Sequence, residues 1–306
     1  MTKRKDESAS VKQRLLNLAK ARGEEFNMLL VRYVLERLLF RLERSAFGSQ
    51  FVVKGAMMFY VWSDAPHRPT RDLDLLSAGP PDLDRLAEVF RAVCATQVDD
   101  DGVAFAPATV KALRIRAEEE YKGVRITFTA SLGRARVPVQ VDVGFGDATV
   151  PLPELTTFPV LLGHAAPHLR AYRRETAIAE KFHAMVDLGM ANSRMKDFFD
   201  LHYLANRFAF DGQLLGTAIR ATFSRRSTPV PTSAPVALTA EFFADAGKLA
   251  QWKGFLNRSR LAGAELTLLA VATQVSAFVM PVAHAIAMGS EFTGRWEPGG
   301  PWQAPK

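Results

Sequence analysis

Residues 68–76 read Arg-Pro-Thr-Arg-Asp-Leu-Asp-Leu-Leu. The stretch opens on a turn, His67-Arg68-Pro69-Thr70, and continues as a short strand from Asp72 to Leu76 that ends at Gly79-Pro80-Pro81. On a strand, successive side chains alternate between faces, so Asp72 and Asp74 share one side while Leu73 and Leu75 point into a core. Two carboxylates held side by side repel one another unless a cation lies between them. An all-oxygen donor set suits Mg²⁺, which takes one or two carboxylates together with substrate phosphates and water. Alone, an Asp-x-Asp pair also arises by chance on exposed strand faces.

Working outward, Phe51-Val52-Val53 forms an apolar run ending at Lys54-Gly55, and a helical pattern covers Ala56–Trp62. Gly55 thus lies between a strand and a helix, where backbone N–H groups can receive a phosphate. An ordinary turn glycine is the competing reading. Arg68, Thr70 and Arg71 precede the carboxylate pair within reach of a triphosphate. In Val137-Pro138-Val139-Gln140-Val141-Asp142-Val143 the valines share a face, leaving Asp142 on the other. There it is either a third metal-binding carboxylate or a solvated strand residue.

The chain's 306 residues suffice for two domains. Two helices are expected over 10–45 and another over Asp82–Val98, with Asp82 as N-cap. Strands are expected at Val110–Ile115, Val124–Leu132 and Val137–Phe145, the last two as a hairpin closed at Gly133–Arg136. Up to about residue 160 the pattern is a mixed sheet interleaved with helices; beyond it strands disappear. Amphipathic helices follow at Glu175–Met190 and Met195–Phe208, a Pro/Ser/Thr-rich loop at Ser227–Pro235, then helices near Ala240–Asn257 and Leu261–Met288. The last is apolar enough to raise a membrane span, but Glu265, Gln274, Pro281 and His284 interrupt it, and a buried core helix is the preferred reading.

Hydrophobic residues make up 48% and charged residues 23% of the chain, an ordinary globular composition. The single cysteine, Cys94, excludes an intramolecular disulfide and a cysteine-rich zinc site. The charged stretch Met1–Ser10 has no apolar core of a secretory signal, so an intracellular, cytoplasmic protein is expected. Net charge is +7. Between Arg220 and Arg260 there are seven Lys/Arg against two acids, Glu241 and Asp245. Arg225, Arg226, Lys253, Arg258 and Arg260 are the candidate RNA contacts, with a solvated surface as the plain alternative. A second basic stretch runs from Lys111 to Arg136. In the helical half, Glu180-Lys181 is followed by Arg194, Lys196, Asp197 and Asp200, where Lys196 and Asp200 can share a helix face. Surface salt bridges explain this run as well as a lysine aimed at a triphosphate does.

Lys54-Gly55-Ala56, the block Arg68–Leu75, the segment Glu175–Lys181 and the block Arg194-Met195-Lys196-Asp197-Phe198-Phe199-Asp200-Leu201 together resemble the AbiEii/AbiGii toxin family of nucleotidyltransferases. The two Asp-bearing blocks stand in the family's order, about 120 residues apart, and fainter similarity runs from residue 27 to Pro281. The resemblance implies an α+β fold: a polymerase-beta-like nucleotidyltransferase domain with a mixed sheet (1–160), then an α-helical domain (161–306) completing an NTP and RNA cleft. It implies Asp72 and Asp74 as ligands of Mg²⁺ (or Mn²⁺), with an NTP as co-substrate. It implies Lys181 as a phosphate-binding lysine whose truncation touches nucleotide rather than stability, and Asp197 or Asp200 as an essential acid. Lys54, Gly55, Ala56, Arg68, Thr70, Arg194 and Lys196 complete the expected nucleotide site. Family members look like the bacterial toxin half of type IV-type toxin–antitoxin systems, some of which modify tRNA 3′ ends and block translation. A cognate antitoxin, winged-helix and encoded nearby, and RNA, as tRNA, are therefore the expected partners, with no membrane. The alternatives are a nucleotidyltransferase acting on a protein or small molecule, and a catalytically silent nucleic-acid-binding module. One departure is Ala56, where many members carry Gly or Ser. It offers no hydroxyl, so a phosphate contact must come from backbone N–H groups or Thr70.

Overall fold

The computed structural model describes residues 7–63, 68–115, 123–259 and 266–304. The chain divides into two compact units. Unit 1 comprises Met1–Gly146 and Glu154–Tyr172; unit 2 comprises Asp147–Pro153 and Arg173–Lys306. The segment 147–153 thus belongs to the second unit although it precedes the last two strands of the first.

Unit 1 begins with α1 (Glu7–Arg22), which buries Val11, Leu15 and Ala19 at four-residue spacing. The next helix, α2 (Phe26–Arg44), is buried almost throughout, including Glu36, Arg37 and Arg41. Charge inside a core must be paired. Arg41 accordingly forks onto Asp101 at 2.7 and 3.0 Å, and Tyr33 donates to the Asp101 carbonyl. Burial pushes the Glu36 carboxyl up to about 7, against the opposing charge of Arg37. A strand β1 (Phe51–Lys54), a short 3₁₀ turn (Gly55–Met57) and α3 (Met58–Trp62) lead to β2 (Asp72–Ser77). Next comes α4 (Leu83–Ala95), its first turn capped by the Asp82 side chain accepting from Arg85 N–H. Three long strands follow, β3 (Val103–Ile115), β4 (Gly123–Leu132) and β5 (Ala135–Phe145), then β6 (Glu154–Thr157) and β7 (His168–Ala171).

The seven strands form one mixed sheet in the order β3-β4-β5-β2-β1-β7-β6. The pairs β2–β5 and β1–β7 are parallel; the others are antiparallel. Alternation fixes the faces. Val124, Ile126, Phe128, Ala130 and Leu132 of β4 are buried, as are Val137, Val139, Val141 and Val143 of β5. Arg125, Thr127 and Thr129, with Pro138, Gln140 and Asp142, take the opposite face. Pro138 precedes the β2–β5 pairing, which begins at Asp72↔Gln140, so it lies where β5 has an edge and a missing N–H is tolerated.

The expected strands are present, with one extended. β3 begins at Val103 rather than Val110 and bends at a register shift between Ala106 and Lys111, around Pro107. Strands also do not end near residue 160: β7 lies beyond it, and unit 2 carries a small sheet of its own.

Unit 2 holds α5 (Arg174–Leu188), α6 (Met195–Arg207), β8 (Phe210–Asp211) and α7 (Gly212–Arg225). It continues with α8 (Ala240–Phe243), α9 (Ala246–Arg258), α10 (Leu268–Ala287), β9 (Arg295–Trp296) and β10 (Trp302–Gln303). The single helix expected near 240–257 is two, because Asp245 accepts from Lys248 N–H and restarts the chain as α9. Strands β10-β9-β8 form the second sheet. It is pinned by Trp296 Nε1–H donating to the Ala205 carbonyl at 2.7 Å and by Trp302 stacked on Phe278. Helix α10 is long and apolar enough to cross a membrane by length and composition. In the structure its stripe Leu268, Val271, Ala272, Val275, Phe278, Val279, Val282 and Ala283 is buried, with α6 and α7 as neighbours. The helix is capped by Thr267 and starts at Leu268, where a helix from Leu261 is expected. Residues 260–265, Glu265 among them, lie outside the described residues, and the buried stripe fits a core helix.

A buried imidazole sits in the same unit. His183 of α5 is bonded through Nε2 to Thr228 Oγ1 at 2.9 Å and through Nδ1 to Arg226 Nη1 at 3.2 Å. Arg226 also bonds Asp147 at 3.0 Å. Burial first, and then the charge of Arg226, push the His183 pKa down to about 4. The folded state therefore refuses a proton that the unfolded chain accepts near pH 6.5. Stability should be full above about pH 6.5 and fall as pH drops from there towards 4. Urea midpoints measured across that window should decline, and His183→Gln should flatten the decline. An equal slope in the variant would assign the acid sensitivity elsewhere.

Candidate active site

The sheet register assembles the carboxylates. Asp74 of β2 stands opposite Lys54 of β1 on one side and Asp142 of β5 on the other, and Asp142 stands opposite Arg125 of β4. Partners in register share a face, so Arg125, Asp142, Asp74 and Lys54 form one row across four strands, roughly 14 Å from end to end. The neighbouring row is Lys111, Thr127, Gln140 and Asp72. Leu73 and Leu75, between the acids in sequence, are fully buried.

Each acid is constrained. The Thr70 hydroxyl donates to Asp72 Oδ1 at 2.5 Å. Thr70 is buried, so its hydroxyl serves the carboxylate rather than standing ready for a phosphate. Gly55 has φ +70°, and a Cβ built there would fall 1.9 Å from Asp74 Oδ2. Both the backbone conformation and the close approach of Asp74 therefore require glycine. The buried Ala56 follows it. Lys54 has its ammonium 5.3 Å from the Tyr172 ring centre. Arg68 is half-buried and Arg71 exposed.

Asp142 meets a residue that the sequence reading passed over. Arg125 forks onto it, Nε to Oδ1 and Nη2 to Oδ2, both at 2.8 Å. The Gln140 amide donates to the same Oδ2 at 3.3 Å. This hydrogen-bonded fork raises the Arg125 pKa against the cost of burial, and the charges of Asp142, Asp72 and Asp74 act in the same direction. The signal was present in sequence as Arg125 at an outward position of β4, but its partner depends on hairpin register. Among the described residues no three carboxylate, imidazole or thiol groups converge as a metal cage. Asp72 and Asp74, two hard oxygen donors on one face beside a glycine, fit a magnesium that keeps waters and substrate oxygens as its other ligands.

Beside this row lies an open pocket of about 1000 Å³, lined in part by Arg71, Lys111, Thr127, Thr129, Arg136 and Gln140. Its cations and hydroxyls continue the Lys111–Thr127–Gln140 row that ends at Asp72.

In unit 2, Asp197 and Asp200 lie on one face of α6 and are fully buried. Lys181 of α5 bridges them, with Nζ 2.8 Å from Asp197 Oδ1 and 2.8 Å from Asp200 Oδ2. Arg194 Nε bonds the other oxygen of Asp197 at 2.6 Å. Burial alone would push the Asp197 carboxyl up; Lys181 and then Arg194 outweigh it and hold it below its ordinary value. Lys196 is exposed while Asp200 faces the interior, so the expected pairing of those two gives way to the Lys181–Asp200 bond. Of the candidate RNA contacts, Arg225, Lys253 and Arg258 are exposed. Arg226 is largely buried and engaged with Asp147 and His183. Arg260 lies outside the described residues, as does His67 of the turn.

The family model described as nucleotidyl transferase AbiEii toxin, type IV TA system, matches residues 37–271. Two solved structures are similar at 16% identity and a TM-score of 0.48. One is a candidate nucleotidyltransferase from H. pylori, for which 85% of this chain aligns with 96% of that one. The other is JHP933 from Helicobacter pylori, at 86% and 94%. No curated protein matches in sequence.

Two outcomes follow from this geometry. Gly55→Ala should destabilise unit 1 by about 1 kcal/mol or more, because alanine at positive φ is strained. It should also displace Asp74, so Mn²⁺ binding should fall well beyond what the lost stability explains; unchanged Mn²⁺ affinity would remove Gly55 from the site. Lys181→Ala leaves two buried carboxylates without their shared cation and should cost about 3–5 kcal/mol in urea unfolding. This reverses the expectation that truncating Lys181 spares stability. A loss under 1 kcal/mol would show that the hub is not held by Lys181.

Proposed function

Because the chain belongs to the AbiEii nucleotidyltransferase toxin family of type IV toxin–antitoxin systems, we propose that it transfers NMP from an NTP to the 3′ end of a tRNA. The observation that carries the chemistry is the placement of Asp72 and Asp74 on one face, with Gly55 under Asp74. In this reading the pair holds Mg²⁺ or Mn²⁺, which when bound supplies Lewis-acid charge to the departing phosphates. Thr70 fixes Asp72, and Gly55 leaves Asp74 its space. The 3′ hydroxyl oxygen forms a bond to the α-phosphorus, the α–β bridging bond breaks, pyrophosphate leaves, and the hydroxyl proton passes to water. Phosphoryl transfer of this kind depends mainly on positioning and on cations that meet developing charge. Lys181 is the proposed phosphate-binding lysine of unit 2, with Asp197 and Asp200 setting its position.

An RNA acceptor is supported in each unit separately. In unit 1 the pocket beside the carboxylates offers Arg71, Lys111 and Arg136 to phosphates, with Thr127, Thr129 and Gln140 to 2′-hydroxyls. In unit 2, Arg225, Lys253 and Arg258 are exposed cations. The family carries an antitoxin partner with it. We propose that it is a winged-helix protein encoded nearby and that the toxin acts in the bacterial cytoplasm.

The test is incubation of purified protein with each labelled NTP and total RNA. A labelled tRNA band is expected. Asp72→Asn and Asp74→Asn should each lower transfer by on the order of a thousandfold. Lys111→Glu with Arg136→Glu should raise KM for RNA about tenfold and steepen nothing in NTP binding, and wild-type RNA binding should weaken as salt rises. Label on a protein with none on RNA would replace the RNA reading.

A further inference from the structure

We infer that Arg125 supplies a fixed positive charge to the carboxylate row, so that Asp142 holds the guanidinium and the Asp72–Asp74 pair takes a single divalent ion. The inference rests on the reading of Asp72 and Asp74 as an oxygen-donor pair.

Three observations converge on it. The fork is bidentate, with both Asp142 oxygens at 2.8 Å from Arg125 nitrogens and Gln140 adding a donor to one of them. The register places Arg125 directly beside Asp142 and Asp142 directly beside Asp74, so the guanidinium is built into the row by strand pairing and not by a flexible loop. No third ligand group converges with Asp72 and Asp74 among the described residues. Magnesium needs near-octahedral oxygen ligands at about 2.0–2.1 Å and sheds water reluctantly. To recruit Asp142 it would have to break the fork and leave Arg125 without its main partner.

The fork also has chemical use. An exposed ion pair adds little stability, about 0–1 kcal/mol, and the Arg125 side chain is 38% exposed. Stability alone therefore gives little reason for its placement. A guanidinium presents a planar set of N–H donors matched to phosphate oxygens, and the fork uses only Nε and one Nη2 proton. The remaining donors are available to a non-bridging phosphate oxygen. Arg125 is thus a positioning and charge-supplying residue beside the single ion, and Asp142 acts through Arg125.

The test counts ions as well as turnover. Metal-free protein without nucleotide is titrated with Mn²⁺ and followed by electron paramagnetic resonance, with circular dichroism to verify folding. Wild type should bind one ion per chain, and Asp74→Asn should weaken it at least tenfold. Asp142→Asn should leave Mn²⁺ affinity within threefold while lowering nucleotide transfer. Arg125→Ala, which uncovers the Asp142 oxygens, should tighten Mn²⁺ or admit a second ion, and Arg125→Lys should keep the count at one. A tenfold weakening in Asp142→Asn, or two ions in wild type, would overturn the inference by making Asp142 a ligand. Unchanged Mn²⁺ affinity in Asp74→Asn would overturn the underlying metal reading instead.

Discussion

The parallel pairing of β2 with β5 sets Asp74 beside Asp142, one strand spacing apart, while Asp72 follows two residues away on the same face. Two like charges about 5 Å apart at an effective dielectric constant of about 20 repel by roughly 3 kcal/mol. Much of unit 1 around this point answers that repulsion. The Thr70 hydroxyl meets Asp72, the Arg125 fork meets Asp142, and Lys54 stands beside Asp74 in register. The core face contributes by rigidity: buried valines, leucines and aromatics behind the acids prevent a one-residue slip that would relieve the crowding.

Unit 2 treats charge in the opposite way. Its acids, Asp197 and Asp200, are removed from water and given cations directly, Lys181 between them and Arg194 on the outer oxygen of Asp197. Two buried carboxylates sharing one ammonium order a flexible four-carbon side chain, so its conformational entropy is lost on folding rather than on binding. In the proposed function, a lysine so held is already in position when a phosphate arrives. The same bonds make Lys181 structural, so its truncation leaves two buried acids short of their cation.

How far the sequence reveals this differs by residue. Alternation shows the β4–β5 hairpin and the outward acids at 72, 74 and 142, because period-two patterning and a buried apolar face are local properties. The Asp82 cap is legible for the same reason. Partners across strands are not local. That Arg125 faces Asp142 depends on register, and that Lys181 rather than Lys196 meets Asp200 depends on how α5 packs on α6. The first half of β3 is obscured by Pro107 and the register shift there. Strands β8, β9 and β10 are two residues each, too short for any periodicity, and they exist because Trp296 and Trp302 anchor them. Net charge also misleads about Arg226, which reads as part of a basic surface and is instead tied inward to Asp147 and His183.

In the proposed function, the acids themselves distinguish a catalytic site from a merely binding one. Asp72, Asp74 and Asp142 bring three negative charges to the two rows, and Arg125, Lys54 and Lys111 bring three positive ones. The Arg125 guanidinium is committed to Asp142 by its fork, and the Thr70 hydroxyl to Asp72. A surface evolved only to hold polyanionic RNA would gain by losing those acids, since each repels phosphate. Keeping them, spaced on one face with a glycine that makes room for one of them, is favourable only where a cation joins the anion on the site. Under the proposed function, the oxygen-only donors and the pocket cations Arg71, Lys111 and Arg136 would meet a metal ion and a phosphate chain together.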